Sequence, residues 1–523
     1  MKTIIKKALK WYFITVGISI LMFWAVWIVL SEGGLPLSPW HKYVPDEMSA
    51  AEISAADWDA YIKREEEIME GVRLNVTEKL PPSTQEASNR YDKNSFVYAP
   101  DFAENWNRSF VLMPDGKPVG AAVFLHGMTD SPYSLRHIAK LYRKGGFVAV
   151  GIRMPGHGTV PGGLTDVKME TWDAAAKLAV REAVRIAGED APLHIVGYSN
   201  GGALAMKYAL DALGDSSLRR PDRLVLLSPM IGVTLYARFA GLASVPAILP
   251  AFAKAAWQNV APEYNPFKYN SSAINGARQS YRLTHVLQKQ IQKLYASGAL
   301  LELPPVLTFQ SVLDSTVSTP AIFYYLYEYI PANGSEMVLF DINRAADLTP
   351  LMDASASVKL EEILPPLPLS YTLSVVTNDL PKTPDGDFGR SVSAHTYFPG
   401  AYAPKNSALG IKYPPDIFSL SHVSIPFPMD DELYGMTPPP DSAEVFGVNL
   451  GAVSARGEKG TLIVDMESLF RIMSNPFFPY MVERIQAGID DPAPRPDVKP
   501  HVKRDPDSNL REREVERLTE LEN

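Results

Sequence analysis

The chain has 523 residues, a formal net charge of −9 and no cysteine. That charge leaves no basic surface for a nucleic-acid partner, and the lack of thiols excludes disulfides, thiolate catalysis and cysteine-ligated zinc. The length exceeds a typical domain of roughly 100–200 residues and allows a large core.

Residues 11–30, "WYFITVGISILMFWAVWIVL", carry no charge, and about 20 apolar residues is the length of a helix that crosses a bilayer. Lys2, Lys6, Lys7 and Lys10 precede them. Residues 1–10 are therefore expected to stay cytoplasmic, with everything after Ser31 on the periplasmic or extracytoplasmic side of a single-pass anchor. A cleaved signal peptide is the competing reading, but its apolar core is normally about 7–15 residues, and "SEGGLPLSPW" offers a poor cleavage site. Residues 48–70 read as a helix with an acidic face and 81–94 as polar chain, so 31–95 is expected to be a stalk leading to a folded domain at 96–480.

Within that domain, apolar runs at 119–125, 147–152, 193–196, 224–227 and 306–309 read as strands, and 133–144, 169–187 and 202–213 as helices. The alternation predicts an α/β fold, a doubly wound and mostly parallel sheet whose sites lie at the carboxyl ends of the strands.

One such end carries the strongest motif, "HIVGYSNGGALAM". Its Gly197-Tyr198-Ser199-Asn200-Gly201 sits where a short apolar run gives way to a helix of Ala, Leu and Met. A serine at the tip of a tight strand-to-helix reversal needs neighbours without side chains, and this pattern presents a nucleophile. Asn200 would begin the helix, its backbone N–H aimed at charge developing beside Ser199. The bland alternative is a serine in a glycine-rich turn.

Further along, residues 232–299 begin with the largely apolar "VTLYARFAGLASVPAILPAFAKAAW" and continue with "RQSYRLTHVLQKQIQKLY", an amphipathic helical pattern in which His285 reads as a surface residue. Asp314 follows the last of the five strand runs and precedes a new helix, well placed to orient an imidazole or simply to cap that helix. Asp341, in "MVLFDINR", is the rival carboxylate. A proline-rich insertion occupies about 345–420, and the charged segment 490–523 reads as a disordered tail.

Three pieces, "HGMTDSPYSLRHIAKLYRKGGF", "RMPGHGTVPGG" and "VGYSNGGALAM", make residues 119–341 resemble the α/β-hydrolase superfamily, and more narrowly its monoacylglycerol lipase, carboxylesterase and serine aminopeptidase group. The resemblance implies the α/β-hydrolase fold with a helical lid inserted at about 232–299. It also implies a Ser, Asp, His order along the chain and a second oxyanion-hole donor at the Met128 backbone N–H beside that of Asn200. His126 and His157 are expected to be structural. The insertion after Arg344 delays the histidine, and three follow Asp314. His501 lies in the charged tail. His395 lies in a segment that looks inserted, whereas His422, in "FSLSHVSIPFPMDDELYG", has small residues before it and an apolar stretch to pin its loop, and is preferred as the base.

The implied chemistry is acyl transfer to water by Ser199, His422 and Asp314, with no metal or cofactor, on a small-molecule or lipid acyl ester. A peptidase or amidase of the same group is the alternative. It would call for a charged pocket, and Glu263 is the main acidic residue of the lid region. A catalytically silent envelope protein on the same fold is the third reading.

Overall fold

The computed structural model describes residues 2–82, 88–232, 245–344, 363–378, 390–442, 444–453 and 471–493. The five apolar runs are strands, as their Val, Leu and Ile content predicts, and they are joined by others that the sequence reading did not single out. In chain order the strands are β1 Phe110–Leu112, β2 Gly120–Leu125, β3 Phe147–Ile152, β4 Leu193–Tyr198 and β5 Arg223–Leu227. A small ribbon of β6 Trp257–Asn259 and β7 Ser272–Ala273 comes next, then β8 Val306–Ser311, β9 Glu336–Phe340, β10 Thr372–Asn378, β11 Ser391–Tyr397 and β12 Lys405–Lys412.

Ten of them form one sheet in the order β1-β3-β2-β4-β5-β8-β9-β10-β11-β12. From β3 across to β10 neighbours pair in parallel, while β1, β11 and β12 pair antiparallel at the edges. The order reverses direction between β2 and β4, and the crevice beyond their carboxyl ends is where such sheets place their sites.

Both faces are covered, which is why β2, β3, β4 and β8 are buried along their whole lengths. On one face α5 (Arg136–Lys144) packs Ile138, Ala139 and Tyr142 against Phe124 and Phe147. On the other, α6 (Met169–Ala187), α7 (Asn200–Gly214) and α8 (Ile274–Ser297) bury Trp172, Leu204 and Leu283. The last described helix, α9 (Phe478–Asp490), returns to the α5 face and sets Ile485 and Ile489 into its core. The folded unit therefore runs past the expected limit of 480. Residues 494–523 of the expected tail lie outside the described residues.

The N-terminal region departs further from expectation. Helix α1 (Lys2–Glu32) is long and apolar enough, from Ile5 onward, to cross a membrane. The chain beyond it is not a free stalk. Helices α2 (Pro39–Lys42), α3 (Ala50–Ala55) and α4 (Trp58–Asn75) lie on the domain, with Ile53, Trp58 and Tyr61 in the main core. The single helix expected over 48–70 divides at Ala56 and Asp57, where the Asp57 carboxylate accepts the Ala60 amide at 2.8 Å and caps α4. The buried Arg153 guanidinium locks the region down, donating to Glu47 at 2.8 Å and to Glu65 at 3.2 Å, while the Tyr61 hydroxyl donates to the Arg153 carbonyl at 2.6 Å.

The proline-rich insertion is likewise part of the sheet. Where it is described it supplies β10, β11 and β12, and its residues 345–362 and 379–389 lie outside the described residues. Strand β12 is an exposed edge with a lysine at either end, Lys405 and Lys412, the charge pattern that discourages pairing with another chain.

Candidate active site

Strand β4 ends at Tyr198, and the next residue turns the chain into α7. Ser199 takes φ 54° and ψ −117°, a left-handed backbone that a side-chain-bearing residue adopts only when its surroundings compel it. The surroundings do so through close packing. A Cβ on Gly197 would meet the Gly201 carbonyl oxygen at 2.4 Å, and one on Gly201 would meet that of Leu125 at 1.9 Å. Backbone bonds hold the tip from both sides: Ser199 N–H donates to Leu227 O at 2.9 Å, and Met230 N–H to Ser199 O at 3.0 Å.

The Ser199 hydroxyl meets His422. Its Oγ lies 3.0 Å from His422 Nε2, and His422 Nδ1 lies 2.8 Å from Asp314 Oδ2. All three side chains are buried. Asp314 lies just after β8, and its other oxygen accepts the Thr316 and Val317 amides at 2.8 and 2.9 Å, while Gln310 Nε2 donates to Oδ2 at 3.1 Å. Burial alone would raise the Asp314 carboxyl; the His422 ring and these donors outweigh it, leaving the carboxyl below its ordinary range. An ionised Asp314 fixes the proton of His422 on Nδ1, so Nε2 faces the hydroxyl as an acceptor.

The loop that carries His422 is tied to the start of α5. The buried Asp431 carboxylate accepts from Arg136 Nη1 at 2.8 Å, Tyr133 Oη at 3.0 Å and His137 Nε2 at 2.9 Å, as well as from the Leu433 and Tyr434 amides. Arg136 also reaches Glu432 and Glu444. On its other side the His422 ring stacks on Tyr198, with centroids 5.5 Å apart. Neither the Arg136–Asp431 anchor nor Gln310 was singled out in the sequence. Their only signal there is an arginine and an acidic pair about 295 residues apart.

Met128 and Asn200 lie at the ends of β2 and β4. A Cβ on Gly127 would come within 3.1 Å of Ser199 Cβ, so the turn holding Met128 presses on the serine. Among the described residues neither the Met128 nor the Asn200 amide donates a hydrogen bond. The Asn200 side chain instead accepts from Ser280 of α8 at 2.9 Å, so α8 crosses the serine turn. Of the lid expected at 232–299, residues 233–244 lie outside the described residues, and α8 packs on α7 along its buried side.

The other residues weighed in the sequence stand apart from this cluster. Buried His126 and His157 hydrogen-bond to backbone, His126 to Gly127 O and Met154 N–H and His157 to Pro155 O, and burial drives both rings below their ordinary range, His157 to about 4. His395 sits within β11 rather than in a loop, and His285 is exposed on α8. Asp341 pairs with Arg344 at 2.8 Å and accepts from Thr377. Glu263 is buried, accepts the Asn270 and Ser271 amides, and is raised by its burial.

Residues 122–366 match the family model described as the alpha/beta hydrolase family. No curated protein matches the chain. Among solved structures it is similar to one from a study of the metagenome-derived lipolytic enzymes LipS and LipT, at 18% identity over 45% of this chain and 87% of that one, with a TM-score of 0.36. It is also similar to a soluble variant of monoglyceride lipase from Saccharomyces cerevisiae (12% identity, 45% and 82%, TM-score 0.35). A carboxyl esterase from Bacillus coagulans is a third (16% identity, 45% and 84%, TM-score 0.34). With the family match falling on the parallel sheet and its strained serine turn, the chain has the α/β-hydrolase fold.

Proposed function

We propose that the protein is a membrane-anchored serine hydrolase that cleaves acyl esters. The observation that carries this reading is the unbroken hydrogen-bonded line from the Ser199 hydroxyl through His422 to Asp314. Ser199 attacks the ester carbonyl as His422 Nε2 takes its proton; the imidazolium then returns that proton to the departing alcohol, leaving an acyl-serine. Water, deprotonated by the same nitrogen, attacks the acyl-serine and frees the acid. Asp314 holds the ring in the productive tautomer and stabilises the imidazolium. The Met128 and Asn200 amides, the second at a helix N-terminus, face the oxyanion; each such donor is worth about 10²–10³ in turnover.

In this reading α1 is the anchor, with Lys2, Lys6, Lys7 and Lys10 on the cytoplasmic side and the hydrolase domain on the other. The domain comprises residues 39 to about 490, with the N-terminal helices as an integral part. A fluorophosphonate probe tests the chemistry: wild-type protein is labelled once per chain and Ser199→Ala, still folded, is not. Labelling that survives in Ser199→Ala refutes the proposal.

A further inference from the structure

A cavity of about 880 Å³ opens beside the serine turn. Tyr198 and Val423, the chain neighbours of Ser199 and His422, form part of its wall, and so do Asp130 and Ser134 from the turn that carries Met128. Its lining is mixed. Val260, Pro262, Phe427 and Met473 give apolar surface, and the charged groups are Lys268, Arg471 and Asp130.

The charges within that lining are uneven. The half-buried Lys268 makes no ion pair within 4 Å and no side-chain hydrogen bond among the described residues. Arg471 has no carboxylate partner among them either, and its guanidinium donates only to Thr316 Oγ1 at 3.3 Å. The single carboxylate in the wall is already engaged, since Asp130 accepts from Ser134 Oγ at 2.7 Å and from the Gly127 amide at 3.3 Å. Burial holds the Lys268 ammonium below its ordinary range, with the Asp130 carboxylate opposing and Arg471 adding to the shift; burial pushes the Asp130 carboxyl up to about 6 against the pull of Lys268. Two cations lining one cavity against one carboxylate leave a net positive charge there, and an incoming oxyanion offsets it.

The remaining wall says where that anion comes from. Gly33, Gly34, Leu35 and Pro36 line the cavity, and they are the residues that come directly after α1. The end of α1 is fastened to the domain beside them: Trp27 Nε1 donates to Ala255 O at 3.2 Å, and Lys254 Nζ to the carbonyls of Glu32 and Gly34 at 3.1 and 3.0 Å. The cavity is thus bounded by the chain where it leaves the apolar helix, which the anchor reading proposed above puts at the level of lipid headgroups.

We propose that this cavity takes the oxyanion head, phosphate or carboxylate, of a single-chain amphiphile bound by Lys268 and Arg471, so that the acyl ester cleaved at Ser199 is an anionic one drawn from the membrane. The cleavage half rests on the ester-hydrolase reading; the binding half does not.

Binding is measured on full-length Ser199→Ala protein in dodecyl maltoside, with dodecyl phosphate, monododecyl succinate and zwitterionic dodecyl phosphocholine as competitors of equal chain length. At least one of the two anions is expected to bind about tenfold or more tightly than the zwitterion, and the tighter one identifies the head as phosphate or carboxylate. Lys268→Met and Arg471→Met each reduce that preference several-fold, and Lys268→Arg, which keeps the charge, retains it. Equal affinity for all three, or a preference that both methionine variants preserve, overturns the proposal. Turnover of matched anionic and neutral esters by wild-type protein separates the two readings. Anion-selective binding without any ester cleavage refutes the hydrolase reading alone, whereas cleavage of both esters with equal KM and no binding preference refutes the pocket alone.

Discussion

Replacing Asp314 by asparagine changes one atom and one charge, and the surrounding hydrogen bonds dictate how the site responds. Asp314 Oδ1 accepts the Thr316 and Val317 amides, so the asparagine carbonyl oxygen keeps that place and its NH₂ takes the place of Oδ2. That NH₂ then faces Gln310 Nε2, whose side-chain amide must turn over to present its oxygen, and His422 Nδ1, which in the native protein donates at 2.8 Å. Two donors cannot bond, so the ring moves its proton to Nε2 and turns Nδ1 into the acceptor. Nε2–H now points at the Ser199 hydroxyl 3.0 Å away and cannot take its proton. In serine hydrolases generally this wrong-tautomer substitution costs about 10⁴ in turnover, or ~5.5 kcal/mol of transition-state stabilisation. The backbone anchors survive, so folding stability should change by less than ~1 kcal/mol. The assay is the pre-steady-state burst on a p-nitrophenyl ester together with the rate of fluorophosphonate labelling, beside thermal unfolding. Turnover within tenfold of wild type in a folded Asp314→Asn protein would refute the reasoning, and a large loss in Asp341→Asn instead would move the role to that residue.

The choice of base is checked by a pair of variants: His422→Ala is expected to lose nearly all esterase activity, and His395→Ala, altered in β11 far along the sheet from β4, to keep most of it; the reverse ranking would overturn the assignment. Asp130 gives a pH test. Its carboxyl is raised to about 6 against about 3.9 unfolded, so its contribution to stability is full below about pH 4 and is lost as pH rises through 6, ~3 kcal/mol at the limit. Asp130→Asn should therefore gain stability relative to wild type between pH 4 and pH 8 in denaturant titrations, and a pH-independent difference would contradict this. Arg136→Met strips the buried Asp431 of its main counter-charge and should cost ~3–5 kcal/mol in unfolding free energy, with a fall in turnover as the His422 loop loosens; a loss under ~1 kcal/mol would show that the remaining donors suffice.

What the sequence reveals is governed by the physics of burial. The expected 147–152 strand and 169–187 helix coincide with β3 and α6, because strands covered on both faces must be apolar throughout and a long amphipathic helix repeats its pattern several times. The serine turn was legible for a different reason: only glycine tolerates the contacts at 197 and 201. By contrast β11 and β12 carry half-buried or exposed polar chain, "SVSAHTY" and "KNSALGIK", among prolines, and no local signal separates such strands from loop. The α4 stripe of Trp58, Tyr61, Ile68 and Val72 was present at helical spacing, but charged residues around it masked its buried face and suggested a stalk. The Arg136–Asp431 contact is a tertiary event that no window of sequence contains.

The four strands that separate Asp314 from His422 also bear on the order in which the site can assemble. The two residues of this hydrogen bond stand 108 positions apart, with β9, β10, β11 and β12 between them; closing so long a segment carries an entropic cost that the pairing of these strands helps to offset. A chain emerging from its amino end exposes the nucleophile turn first, and that serine is an ordinary alcohol until the segment around 422 arrives. The proposed hydrolase is therefore expected to be silent as a nascent or truncated product. A single proteolytic cut after residue 412 that releases the carboxyl-terminal piece would switch it off while leaving all ten strands of the sheet in the larger fragment.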